Sequence, residues 1–391
     1  MMKRVLALWL VLTMLLSLPV FAEESQGAVS VTAPSVILVE AETGQVLFEK
    51  NSHDQRPPAS VTKIMTMLLT VEAIDNGQIA LEDMVRCSDF AASMGGSQVY
   101  LEPNEEMSVR DMLKAVAVAS GNDAAVALSE HIAGSHEAFV EKMNARAKEL
   151  GMTDTHFVNC NGLDDPAHLT SAHDIALMSR ELVKHPLIFE FTGIWMDSLR
   201  DGAFGLVNTN KLIRFYEGAN GLKTGSTSTA KYCLSASATK NGMTLIAVVL
   251  GADNSKDRFG DASRLLDYGF ANFAVADSLL TPEELSPIRV EKGRDGYVEP
   301  GIQEGFHVLV SKAKLSAIEK KITLPDSVVA PVRAGDTIGE VEFFIDGASV
   351  GKTAITAKTE VKRENPFGML GKLAKQLLYG DANRLIRQTV A

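Results

Sequence analysis

Apolar and polar positions alternate between Ser35 and Lys50 in a pattern that predicts a β-hairpin. Val36 and Leu38 lead up one arm to Glu40, Thr43-Gly44 turns, and Val46-Leu47-Phe48 returns. From Ser60 to Ile74 the period becomes helical, with Ile64, Met65, Leu68, Leu69 and Val71 apolar. Pro57-Pro58 closes the loop ahead of it and leaves Ser60 near the helix start. A helix-rich stretch is expected from Val109 to about Leu187. Tyr232 to Thr239 and Met243 to Leu250 flank Asn241-Gly242, a pair suited to a tight type I′ hairpin turn. Arg258 to Phe273 reads as an amphipathic helix with Leu265, Leu266 and Phe270 on its apolar side.

The pattern shifts near Asp277. Short β-like runs follow, at His307 to Val310, Val328 to Val332, Thr337 to Ile345 and Lys352 to Ala357. These predict a separate β-rich domain over 277–362, behind a larger domain over 23–276. Hydrophobic residues make up 46% of the 391, enough for a sizeable core.

Both ends carry signals of their own. Lys3 and Arg4 precede an apolar run from Val5 to Leu18, and Val20-Phe21-Ala22 offers a small-residue cleavage site. The run is shorter than the roughly 20 residues that span a bilayer, so 1–22 is expected to be an export signal and the mature chain to begin at Glu23. Removing it leaves 36 basic and 49 acidic residues, a formal charge of −13. So acidic a chain lacks the electrostatic footprint of a nucleic-acid binder. At the other end, Phe367, Leu370, Leu373, Ala374, Leu377 and Leu378 share one helical face, interleaved with Lys372, Lys375, Arg384 and Arg387. A basic amphipathic helix over 363–391 predicts binding in the plane of an anionic membrane; docking on its own domain is the alternative. Cys87, Cys160 and Cys233 form no close pair and no metal-like spacing. Asp164, Asp165 and His168 are the nearest approach to a metal cluster, but Pro166 and Gly162 favour a turn there.

Candidate chemistry lies in three short motifs in fixed order: Ser60-Val61-Thr62-Lys63, Ser120-Gly121-Asn122 and Lys223-Thr224-Gly225. Ser-x-x-Lys also occurs at Ser228, Ser237, Ser311 and Ser349, but only the Ser60 copy precedes both other motifs. Serine is a poor nucleophile without a base at hydrogen-bond range. Residues i and i+3 share a helix face, so Lys63 can reach back to Ser60. A lysine base must be neutral, so burial or a nearby cation such as Lys223 has to lower its pKa. Ser120 would pass a proton towards the leaving amine, and Asn122 would hold Lys63 and the substrate's amide oxygen. Lys223, Thr224 and Arg258 suit a substrate carboxylate, although an arginine at position 258 reads by default as a solvated charge. Backbone N–H groups of Ser60 and Ser226 would hold the oxyanion.

With these motifs the chain resembles the low-molecular-weight penicillin-binding proteins that act as serine-type D-alanyl-D-alanine carboxypeptidases. The likeness extends through Arg56 to Thr66, Ser120-Gly121-Asn122-Asp123-Ala124-Ala125, Gly151-Met152 to Asn161-Gly162-Leu163, and Gly221 to Gly225. It covers roughly residues 30 to 275. It implies an α/β (α+β) fold, a five-stranded antiparallel sheet flanked by helices, with a helical subdomain contributing Ser120 and a small C-terminal β domain. It implies that Ser60 attacks the bond between two D-alanines of a peptidoglycan stem pentapeptide, that β-lactams acylate the same serine, and that no metal or organic cofactor is required. Ser226 stands where some members carry histidine, which bears on substrate preference. Two rivals are a secreted β-lactamase of related fold and a non-catalytic wall-binding protein. The appended β domain argues against the first, and the intact motif set against the second.

Overall fold

The computed structural model describes residues 29–276, 284–302 and 308–372, together with Leu280 and Ala374. The expected export signal at 1–22 and the C-terminal segment from Lys375 onward lie outside the described residues. At the centre is a five-stranded antiparallel sheet of β1 (Ser35–Glu40), β2 (Val46–Lys50), β3 (Ala219–Thr227), β4 (Lys231–Lys240) and β5 (Met243–Ala252), ordered β2-β1-β5-β4-β3. Five longer helices accompany it: α1 (Lys63–Asp75), α2 (Asn122–Ala133), α3 (His136–Glu149), α4 (Ala172–Leu182) and α5 (Ser255–Asn272).

The central strands have apolar side chains on both faces because helices cover both. Ile37, Val39, Ile246 and Val248 join one core with Ile64 and Leu68 of α1, Val126 of α2 and Ile175 of α4. The alternate residues Leu38 and Leu245 meet α5 at Gly269, where an added Cβ would collide with Leu245. That two-sided burial is why β1 and β5 read as nearly continuous apolar runs. Both expected hairpins are present. Lys240 pairs with Met243 across Asn241 (φ +51°) and Gly242 (φ +76°), the two left-handed residues that a type I′ turn needs.

The helix-rich expectation for Val109 to Leu187 holds for α2, α3 and α4 but fails between Glu149 and Ala172. There the side chains fold the chain locally as a loop. Asn159 Oδ1 accepts the Gly162 N–H at 2.7 Å, and Asn161 Oδ1 accepts that of Leu163 at 3.2 Å. Two isolated bridges, Arg56 with Thr170 and His156 with Leu169, hold the loop's far end. Short polar side chains that bond nearby backbone compete with helix in this way.

Beyond α5 the described chain is β-rich. Thr337–Ile345 and Ala348–Ala357 form a long hairpin within a four-stranded sheet that also contains Pro300–Ile302 and Glu319–Thr323. Val298, Val341, Phe343, Ile355 and Val361 are among the residues of a separate core there. Phe273–Ala276 pairs antiparallel with Val308–Ser311, so strand pairing links the end of α5 to this region. Helix resumes at 366–372, where Phe367 and Leu370 are exposed while Lys372 Nζ donates to the carbonyls of Gly293 (2.9 Å) and Arg294 (2.6 Å). Among the described residues no helix is long and apolar enough to cross a membrane.

Candidate active site

Ser60 lies on a single 3₁₀ turn, Ala59–Thr62, that runs directly into α1. One turn on, Lys63 is fully buried, and its Nζ makes three contacts: Ser60 Oγ at 3.0 Å, Asn122 Oδ1 at 2.5 Å and the Asn161 carbonyl at 2.7 Å. Burial pushes the Lys63 ammonium down to about 7, against the pull of Cys160 and Asp123. Of the two causes expected, burial or a nearby cation, it is burial that lowers this lysine.

Asn122 begins α2, and Ser120 precedes it in the left-handed conformation at φ +63°. Both are buried. Asn122 Nδ2 donates to the Gly95 carbonyl at 2.6 Å, and its backbone N–H to Ser97 at 2.7 Å. The neighbouring Asp123 carboxylate accepts from the amides of Val99 and Leu101. A buried carboxylate satisfied by backbone amides thus orders the 95–101 loop around the start of α2.

Lys223, Thr224 and Gly225 lie on β3. Lys223 is 1% exposed, its Nζ donates to the Thr224 carbonyl at 2.8 Å, and its pKa is driven well below the usual lysine range by burial, then by Lys63 and Arg258. Thr224 Oγ1 donates to Thr209 Oγ1 at 2.7 Å, and the Thr209 N–H donates to Val118 just ahead of Ser120. Gly225 packs against the Ser60 turn: a Cβ there would stand 2.8 Å from both the Pro58 oxygen and the Ser60 nitrogen. Ser226 is exposed at the strand end.

Arg258 departs from its default reading as a solvated charge. It is 6% exposed, lies in α5, and donates through Nη1 to the carbonyls of Gly225 (3.2 Å) and Cys233 (3.3 Å). The Tyr232 and Phe259 rings flank its guanidinium, and burial lowers its pKa to about 10. Its Nε is buried without a partner.

Two contributors escaped the sequence reading. Asn161 acts through its carbonyl, which carries no residue-type signal. Thr209 had no motif around it, and only the folded chain brings it beside Thr224. Asp165 opens a turn through Pro166-Ala167, its carbonyl accepting from the His168 N–H at 2.9 Å, and Asp164 beside it accepts from Thr227 Oγ1 at 2.7 Å. The three cysteines are buried free thiols.

The sequence profile of the D-alanyl-D-alanine carboxypeptidases matches residues 21–254, and that of the penicillin-binding protein 5 C-terminal domain matches residues 281–363. The chain belongs to the D-alanyl-D-alanine carboxypeptidase family. It is 44% identical over 371 residues to the Bacillus subtilis D-alanyl-D-alanine carboxypeptidase DacF, covering 93% of this chain and 95% of that one. It is 34% identical to Escherichia coli DacC over 358 residues, 89% of this chain and 88% of that one. Among solved structures, penicillin-binding protein 5 from Haemophilus influenzae superposes with a TM-score of 0.72 at 32% identity, covering 85% of this chain and 98% of that one. Penicillin-binding protein D2 from Listeria monocytogenes in its cefotaxime-bound form gives 0.58 at 32% identity over 63% of this chain and all of that one. As a member of the family, this chain is a serine-type D-alanyl-D-alanine carboxypeptidase, a peptide hydrolase working through an acyl-enzyme.

Proposed function

We propose that Ser60 carries the acyl group and that Lys63 is its base. The observation that carries this is the set of contacts at Lys63 Nζ. A neutral amine has two N–H bonds and one lone pair, and Asn122 Oδ1 and the Asn161 carbonyl can only accept. The lone pair then faces Ser60 Oγ at 3.0 Å. In this reading Lys63 takes the Ser60 proton as Oγ bonds to the carbonyl carbon between the two D-alanines. Backbone N–H groups of Ser60 and Ser226 hold the resulting oxyanion, each such donor contributing about 10²–10³ in rate. Ser120 passes a proton to the leaving nitrogen, terminal D-alanine departs, and water later cleaves the ester and restores the Ser60 hydroxyl. Asn122 also takes the substrate amide oxygen. Lys223, Thr224, Gly225 and Arg258 form the carboxylate end. An entering carboxylate would offset the burial of Lys223 and favour its charged form.

The substrate in this reading is a peptidoglycan stem pentapeptide ending in D-Ala-D-Ala, and β-lactams acylate Ser60 in its place. The cefotaxime- and ampicillin-bound Listeria relatives support the second point. We further propose that 1–22 is removed on export, that 23–276 and 277–362 are the catalytic and β domains, and that 363–391 holds the enzyme on the outer face of the cytoplasmic membrane.

The test is D-alanine release by residues 23–391 from a peptide ending in D-Ala-D-Ala, with Ser60→Ala alongside. Release that needs Ser60 and stops with penicillin is the expected result. Release or penicillin labelling that survives in Ser60→Ala would remove Ser60 from its role. Rapid repeated hydrolysis of penicillin would favour the β-lactamase instead.

A further inference from the structure

His168 belongs to the loop between α3 and α4, and its ring is buried at 2% exposure. Both ring nitrogens have partners. Nδ1 lies 2.9 Å from the Val158 N–H and must accept from it, which leaves the ring proton on Nε2. Nε2–H then donates to Thr62 Oγ1 at 2.8 Å. With that oxygen's acceptor side engaged, the Thr62 hydroxyl donates to the Ala59 carbonyl at 2.8 Å. The result is a directed chain from Val158 through His168 and Thr62 to Ala59.

Its end point is unusual. Ala59 sits at φ +49°, a region costly for a residue with a Cβ, and it immediately precedes Ser60. Such a conformation persists only where its surroundings over-determine it. Two contacts do so at the Ala59 carbonyl. The Thr62 hydroxyl is one, and Gly162 (φ +86°) is the other, packed so closely that an added Cβ would collide with that oxygen. Gly162 and His168 lie on the same loop, which also supplies the Asn161 carbonyl to Lys63. One loop therefore sets both the Ser60 turn and the Lys63 amine.

We propose that His168 is a positioning residue for acyl transfer, holding through Thr62 the strained Ala59–Ser60 turn that presents Ser60 Oγ to Lys63. The inference rests on the reading of Ser60 as nucleophile. Burial pushes the imidazole down to about 4, so one neutral tautomer persists across the neutral range. Nothing bonds or breaks at His168; its effect is geometric, and a misplacement of about 1 Å can cost about 10²-fold in rate.

The test uses the full chain and measures penicillin acylation under single-turnover conditions, separating the initial binding constant from the acylation rate. The variants are His168→Phe, His168→Gln, Thr62→Val, and the His168→Phe/Thr62→Val pair. His168→Phe and Thr62→Val should each slow acylation about 10- to 100-fold with the binding constant held, and the pair should be no slower than either one. His168→Gln keeps a donor and an acceptor and should restore most of the rate. Acylation of His168→Phe at the wild-type rate, a loss confined to binding, or multiplicative losses in the pair would each overturn the proposal. Should His168→Phe melt early, Thr62→Val decides, since it leaves the ring in place. Ser60→Ala is run alongside: if it still labels, the nucleophile assignment fails, whereas silence there with an unimpaired Thr62→Val sinks only the role of His168.

Discussion

The α-carbon of Gly225 faces the amide nitrogen of Ser60 so closely that a single added carbon would stand 2.8 Å away from it. That amide is one of the two proposed oxyanion donors. A methyl group there meets backbone on every side, with Pro58, Ser60 and Val61 all within 3 Å, so no flexible side chain can yield. Gly225→Ala should therefore lower penicillin acylation by about 10²-fold or more, the scale of losing one oxyanion donor. Stopped-flow acylation with a fluorescent penicillin checks this. A variant that melts normally and acylates at the wild-type rate would mean that β3 and the Ser60 turn separate readily.

As the proposed base, Lys63 would give the activity a pH dependence of definite sign. It acts as base only when neutral, and burial places its transition at about 7. Acylation should rise with pH through that value and level off above it. Stability should move the same way. Between about 7 and the ordinary lysine value of 10.5, the unfolded chain binds a proton that the folded one does not, so this group's contribution to stability grows as pH rises. Below about 7 the folded protein carries a buried ammonium and the cost is complete. Lys63→Met leaves acceptors unpaired, so its absolute effect is mixed, but its melting temperature relative to wild type should be higher at pH 6 than at pH 9. Paired thermal melts decide it, and no difference between the two pH values would place the Lys63 transition elsewhere.

Arg258 spends Nη1 on the carbonyls of Gly225 and Cys233, residues paired across β3 and β4. If it serves the substrate carboxylate through its charge, Arg258→Gln should raise KM for a D-Ala-D-Ala peptide about tenfold or more, the scale of a charge-assisted hydrogen bond. An amidated peptide lacking the terminal carboxylate should be affected little. Equal losses on both peptides would instead make Arg258 a brace for β3.

The contrast between Arg258 and the β4–β5 hairpin shows what was legible in the chain. Asn241-Gly242 between two apolar runs specifies its turn locally, because few other residues adopt two successive left-handed conformations cheaply. The order of Ser60, Ser120 and Lys223 was readable for another reason, since three short motifs in that order resemble those of a known family. The burial of Arg258 was not readable, as it depends on β3 and β4 arriving over α5 from elsewhere in the chain. The Asn161 carbonyl was hidden more deeply, because every residue has one. The break in helix after Glu149 had a local cause in Asn159 and Asn161, whose side chains bond the backbone that a helix would have used.

The C-terminal segment supplies the last prediction. Phe367 and Leu370 stand exposed at 87% and 66%, so the start of the proposed amphipathic helix presents apolar side chains outward. Lys372, Lys375, Arg384 and Arg387 interleave with the apolar positions on a chain that is acidic overall. An acidic body is repelled by an anionic bilayer, so attraction has to come from this segment, and each basic residue near the surface contributes about 1 kcal/mol. Residues 23–391 should co-sediment with vesicles containing anionic lipid, while 23–362 should remain in the supernatant with its D-alanine release intact. Neutral vesicles should bind much less, and raised salt should release part of the bound enzyme, because screening weakens the charge contribution and leaves the apolar one. Equal binding of both chain lengths would move the membrane contact to another surface, and no binding by either would favour docking of the helix on its own domain.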